Sequence, residues 1–189
     1  AVATLVQVDQ SNLSLQDQII YKPYHATIGT GFINQNPANT PYTIDQLLNA
    51  LLKNSDNTAQ TMLEEKLDVN SNKVSSVFPN QGTTNFYYIN ESNAKEVVDY
   101  LNNIYTTDLL SNQSKDYLFN TMLKTQFDDY FANYITGDYA NKIGLSGSSI
   151  HNCGVIIDKD IVVCIMSSNT NKNQFIQISK MVSDFLNEL

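Results

Sequence analysis

Apolar residues recur at helical spacing in the stretch that follows Thr43: Ile44, Leu47, Leu48, Leu51 and Leu52 fall on one face. Thr43 with Gln46 three residues on is a capping-box signature, so a helix starts there. It runs out at the polar cluster Ser55-Asp56-Asn57, where Asn57 can cap a second helix carrying Ala59, Met62, Leu63 and Leu67. A polar tripeptide pinched between two buried helices is expected to present its side chains outward together, as a preorganised site requires.

The same reading organises the rest. Ala1 to Val8 reads as the middle of a buried helix with no cap before it, and Asp9-Gln10-Ser11-Asn12 is its polar exit. Residues 21–41, rich in Pro, Gly, Asn and Thr, read as a long irregular connection. A short helix is expected around 73–78, a turn at 79–82 and an extended aromatic run at 83–89. Ser92 can cap a helix with Ala94, Val97, Val98, Leu101 and Ile104, and another helix runs from about Ser114 to Leu123. Two β-branched runs, 149–157 and 161–166, flank Asp158-Lys159-Asp160 as a hairpin and join a strand around Lys142 in a three-stranded antiparallel meander. A last helix is expected from Gln174 to Leu189.

Composition narrows the classes. With 189 residues and 42% hydrophobic content, the chain supports one folded domain with a real core. A net charge of −8 argues against nucleic-acid or anionic-membrane partners, which select basic surfaces. No apolar run reaches the roughly 20 residues of a membrane span, and the chain opens with no basic signal-peptide region. Ile28-Gly29-Thr30-Gly31 lacks the preceding strand and following helix of a phosphate loop. His25 and His151 stand far apart without clustered ligands, so neither a metal nor another cofactor is expected, and His25 reads as a surface or packing residue. Cys153 and Cys164 lie on the two hairpin strands and face each other if Asp158-Lys159 is a two-residue turn. A disulfide between them is allowed but would bridge directly paired strands at a cost in strain, so their apolar surroundings point rather to buried, reduced thiols.

Ser55-Asp56-Asn57, preceded by an amphipathic helix and followed by Thr58-Ala59, resembles the second motif of the penicillin-recognising serine hydrolases, the class A β-lactamases and D-Ala-D-Ala peptidases. Lys142-Ile143-Gly144 falls where that family has Lys-Thr-Gly or Lys-Ser-Gly. The resemblance implies an α/β fold of the α+β type, β-lactamase/transpeptidase-like, with a helical part at about 1–135 packed on a sheet and C-terminal helix at about 136–189. It implies that Ser55, Asn57 and Lys142 converge on one cleft that takes a small-molecule or peptide substrate. Ser55 would then belong to the proton relay of acyl transfer, Lys142 would supply positive charge beside it, and Asn57 would hydrogen-bond the substrate amide. Gly144 would let substrate lie against the strand, Asp56 would brace the loop, and Ser146, or else Ser148 or Ser149, could offer a hydroxyl to the substrate. Ile143 departs from the family, whose hydroxyl at that place binds the substrate carboxylate.

Two further departures bear on activity. By alignment the nucleophilic Ser-x-x-Lys of the family is expected just upstream of Ala1. The interval from Phe78 to Glu91 has no acidic residue before Glu91, so the deacylating Glu of class A enzymes has no counterpart there. The resemblance therefore implies either an acyl-transfer serine hydrolase completed by an upstream segment, or an inactive relative that binds an envelope ligand or protein. In both cases the expected location is extracytoplasmic.

Overall fold

The computed structural model describes residues 1–67 and 92–189, so the elements expected at 73–89 lie outside the described residues. Six α-helices and two antiparallel sheets make a mixed α/β fold among the described residues. The chain divides into two compact units, one of Ala1–Glu91 with Asp108–Leu118 and one of Ser92–Thr107 with Phe119–Leu189.

In the first unit, α1 (Val2–Asp9) buries Ala3 to Val6. Strands β1 (Gln18–Ile20) and β2 (Pro41–Thr43) pair antiparallel at the two ends of the irregular connection, and β2 leads directly into α2 (Ile44–Asn54). Thr43 Oγ1 accepts from the Gln46 N–H at 3.1 Å while Gln46 Oε1 accepts from the Thr43 N–H at 2.8 Å, closing the capping box. Ile44, Leu47 and Leu48 are fully buried with Leu5, Ile33 and Met62. The next helix, α3 (Asn57–Lys66), is capped one residue earlier than the sequence suggests. Ser55 takes a left-handed conformation, the chain turns there, and Asp56 rather than Asn57 receives the Ala59 N–H at 2.9 Å.

The second unit centres on the expected meander. Strands β3 (Tyr139–Ser146), β4 (Ser149–Ile156) and β5 (Ile161–Met166) pair in the order β3-β4-β5. Helix α4 (Ala94–Thr106) lies against β4 and β5, with Asn93, not Ser92, as its cap. Helix α5 (Asn112–Met122), whose residues up to Leu118 belong to the first unit, starts two residues before Ser114, and α6 (Lys172–Asn187) is closed by an Asn171–Gln174 capping box. Strand alternation sorts the sheet residues by face. Tyr139, Ile150, Ile156 and Ile165 share one face and form a core with Phe131 and with Phe175 and Leu186 of α6. Lys142, Gly144, His151, Cys153 and Cys164 share the other.

Gly154 is what lets Tyr139 cross the core face. A Cβ there would sit 2.2 Å from the Ala140 carbonyl oxygen and 2.8 Å from the Tyr139 ring. Tyr139 Oη instead reaches Asn152 Oδ1 at 2.9 Å, and Asn152 Nδ2 donates to Asn141 Oδ1 at 3.2 Å. These are buried polar groups that need one another.

The cysteines correct the sequence reading. Cys153 and Cys164 are directly paired across β4 and β5 and form a disulfide, their Cα atoms 4.0 Å apart. The register that faces them also brings the sulfurs within bonding reach, so the thiols do not persist as separate apolar groups.

Two outcomes follow for solution work. Gly154→Ala is expected to destabilise the fold by about 3 kcal/mol, read from urea unfolding, because backbone atoms block the added methyl. A denatured, unreduced chain is expected to titrate no thiol and to yield 2 after reduction; titratable thiols before reduction would contradict the pairing.

Candidate active site

The Ser55–Asn57 corner is built by the connection that precedes it. Ser55 sits at φ 50°, ψ 41°, a left-handed residue that turns the chain between α2 and α3. Its carbonyl accepts from Thr30 Oγ1 at 2.5 Å, and the Asn57 N–H donates to the Thr30 carbonyl at 3.1 Å. Asn57 Nδ2 donates to the Ile28 carbonyl at 2.9 Å. Asp56 turns inward and is 1% exposed, so the three side chains do not point out together. Its Oδ1 caps α3, while Oδ2 accepts from the N–H groups of Phe32 at 2.6 Å and Ile33 at 3.0 Å.

Glycine permits that closeness. Cβ atoms at Gly29 and Gly31, both at positive φ, would lie 2.4 Å from Asn57 Nδ2 and 2.2 Å from Asp56 Cγ. The Gly-Thr-Gly run is therefore a backbone strap across the corner. Sequence reasoning set it aside as a failed phosphate loop; its glycine spacing was the available signal.

His25 is also buried, at 1% exposure, and it anchors the start of the same strap. Its Nδ1 accepts from the Lys22 N–H at 2.9 Å and its Nε2 meets Glu65 Oε2 on α3 at 2.6 Å.

Lys142, Gly144 and Ser146 lie on β3, on one face by alternation. They belong to the second unit, whereas Ser55, Asp56 and Asn57 belong to the first. Burial of the Lys142 amine lowers its pKa to about 8, and Nζ donates to the Ile143 carbonyl at 3.0 Å. Ile143 is 5% exposed and faces the opposite side of the sheet. Gly144 pairs with His151, whose ring lies 3.7 Å from where a Gly144 Cβ would be. Ser146 is exposed at the hairpin end, paired with Ser149. Among the described residues no cluster of His, Cys, Asp and Glu could hold a metal ion.

A polar corner between two amphipathic helices, followed by an antiparallel meander and a C-terminal helix, defines a β-lactamase-like fold. The chain belongs to the beta-lactamase enzyme family, whose model matches residues 1–186. Its structure is similar to that of PBP-A, with a TM-score of 0.86 at 20% identity over 100% of this chain and 78% of PBP-A. A PBP-A variant solved as an acyl-enzyme complex with penicillin G gives 0.82 at 20% identity, with 100% and 78% covered. A β-lactamase from Sphaerobacter thermophilus DSM 20745 gives 0.85 at 15% identity, over 100% of this chain and 80% of that one. No curated protein matches the chain in sequence.

Asp56→Asn is expected to destabilise the fold by about 3 kcal/mol in chemical denaturation, because an amide group would turn N–H toward N–H where the carboxylate now accepts. The Lys142 amine, followed by NMR after reductive methylation, is expected to titrate near pH 8. Since an exposed lysine titrates near 10.5, the folded chain holds fewer protons than the unfolded one between pH 8 and 10.5. The contribution of this amine to stability therefore rises with pH across that window, and Lys142→Met should remove the rise.

Proposed function

We propose that the chain is the larger part of an acyl-transfer serine hydrolase that acts on a β-lactam or a peptidoglycan-type amide, with a Ser-x-x-Lys nucleophile supplied by an upstream segment. The observation that carries this reading is the strapped corner, which fixes Ser55 and Asn57 before any ligand arrives. Ser55 passes a proton to the departing amine, and Asn57 holds the substrate's amide side chain. Lys142, lowered to a pKa of about 8 by burial, can exchange a proton near neutral pH while still offering positive charge. Gly144 leaves room for substrate along β3, and Ser146 offers it a hydroxyl. Asp56 takes no part in the chemistry and holds the loop.

The Cys153–Cys164 disulfide supports an oxidising, extracytoplasmic compartment, in keeping with the family. No helix among the described residues is long and apolar enough to cross a membrane. An inactive relative that binds an envelope ligand or protein is the second reading. Ile143 favours it, because a buried isoleucine offers no donor to a substrate carboxylate.

The test uses the protein with its upstream segment and a fluorescent penicillin. A persistent adduct, read by mass spectrometry, is expected, because no deacylating Glu is assigned. Ser55→Ala and Lys142→Ala should each slow labelling by about 100-fold, and the double variant by much less than the product of the two, as for residues sharing one relay. Rapid turnover would disprove the missing deacylation step. Absence of any adduct would favour the inactive relative, and recovery of labelling in Ile143→Thr would then locate the defect.

A further inference from the structure

Three residues form a row across the sheet of the second unit. Lys142 of β3 is paired with Cys153 of β4, and Cys153 with Cys164 of β5. Strand alternation puts the three side chains on one face, so the disulfide continues the line that the lysine begins. Side chains directly opposite on neighbouring strands have Cβ atoms about 5 Å apart, which sets the lysine stem alongside Cys153.

The two sulfurs of the bond have different surroundings. Cys153 lies on the central strand, is 9% exposed, and has Lys142 on its β3 side. Cys164 is half-buried on β5, an edge of the sheet among the described residues, and the strand Ile161–Met166 carries no charge of its own. Other cations of the unit are turned to partners elsewhere: Lys95 to Asp99, Lys159 to the Leu186 carbonyl, and Lys172 to Asp129. On β4, His151 shares the face and accepts the Ser167 N–H on Nδ1 at 3.3 Å. On α4, which packs on β4 and β5, Tyr105 donates to Asp160 at 2.7 Å. Lys142 is therefore the cation set beside the disulfide, and it stands at the Cys153 end.

We infer that the Cys153–Cys164 disulfide is a thiol-exchange site of fixed polarity, in which a small thiol attacks Cys164 and Lys142 receives Cys153 as the leaving thiolate. The attacking thiolate forms a bond to Cys164 Sγ, the bond between the cysteines breaks, and its electron pair leaves on Cys153 Sγ. A second small thiolate attacks the first in the mixed disulfide and releases Cys164. The small thiol is thereby oxidised to its own disulfide and the protein disulfide is reduced. Of the two protons given up, one goes to Cys164 and the other is held by the Lys142 amine opposite the Cys153 thiolate. Exchange favours attack at the more accessible sulfur and departure of the thiol of lower pKa, and both rules select the same direction here. Burial lowers the Lys142 amine to a pKa of about 8, and a thiolate alongside supplies the countercharge that this site lacks in the oxidised state. Reduction thus keeps Lys142 as an ammonium and withdraws it from proton exchange. That consequence for acyl transfer rests on the proposed function; the polarity of the exchange does not.

The test uses the folded protein with its upstream segment and mercaptoethanol, quenched in acid and mapped by mass spectrometry. The mixed disulfide should carry mercaptoethanol on Cys164 about tenfold more often than on Cys153. Lys142→Met should slow reduction about tenfold, and Lys142→Arg, which keeps a cation, should restore most of the rate. An adduct shared evenly or placed on Cys153, a disulfide that reacts only in denaturant, or an unchanged rate in Lys142→Met would overturn the site. Single variants and the fluorescent penicillin test the consequence. Cys164→Ala leaves a thiolate beside Lys142 and should label about fivefold more slowly than Cys153→Ala, which loses the same bond without gaining that thiolate. Equal labelling rates would overturn the control of Lys142. If no probe labels wild type or either variant while the exchange pattern holds, the hydrolase reading fails and the exchange site stands.

Discussion

One buried carboxylate determines the geometry of the corner. Asp56 is nearly inaccessible, and a charge so placed is tolerated only if its lone pairs are met. Three backbone N–H groups meet them: Ala59 in the first turn of α3, and Phe32 and Ile33 at the end of the strap. The positive end of α3 adds to the compensation. The same group thus fixes where α3 begins and where a segment more than 20 residues earlier must lie. Ser55 and Asn57 inherit their positions from it.

What the sequence made legible follows from how far each cause reaches. Helices α2, α4 and α6 announce themselves through apolar spacing and through capping residues three positions apart, which are local signals. The meander was legible for the same reason, since β-branched runs and short turns act over a few residues. Caps slipped by one residue at Asn57 and Ser92 because side-chain identity alone does not say where the backbone turns. The left-handed Ser55 decides the first case. Strands β1 and β2, three residues each, are too short to show a period.

The candidate site could be read as a motif but not as a structure. Ser55, Asn57 and Lys142 could be singled out by residue type and order. The inward turn of Asp56 could not, nor could the burial of His25, because each also has a partner distant in the chain, Ile33 for Asp56 at 23 residues and Glu65 for His25 at 40. The register that pairs Cys153 with Cys164 could be counted from the hairpin, but apolar neighbours pointed to reduced thiols, and only the paired strands show the disulfide. Ile143 shows the limit most simply. Its place in the motif is plain, whereas the face it occupies depends on strand pairing.

The backbone at Ser55 has a consequence for how this protein could change over time. Left-handed φ and ψ cost a residue with a Cβ roughly 1 kcal/mol or more relative to glycine. Backbone strain alone would therefore favour glycine at position 55. A lineage under pressure only to fold would drift that way. A serine kept there carries that backbone strain in every descendant, and a change to glycine would relieve it.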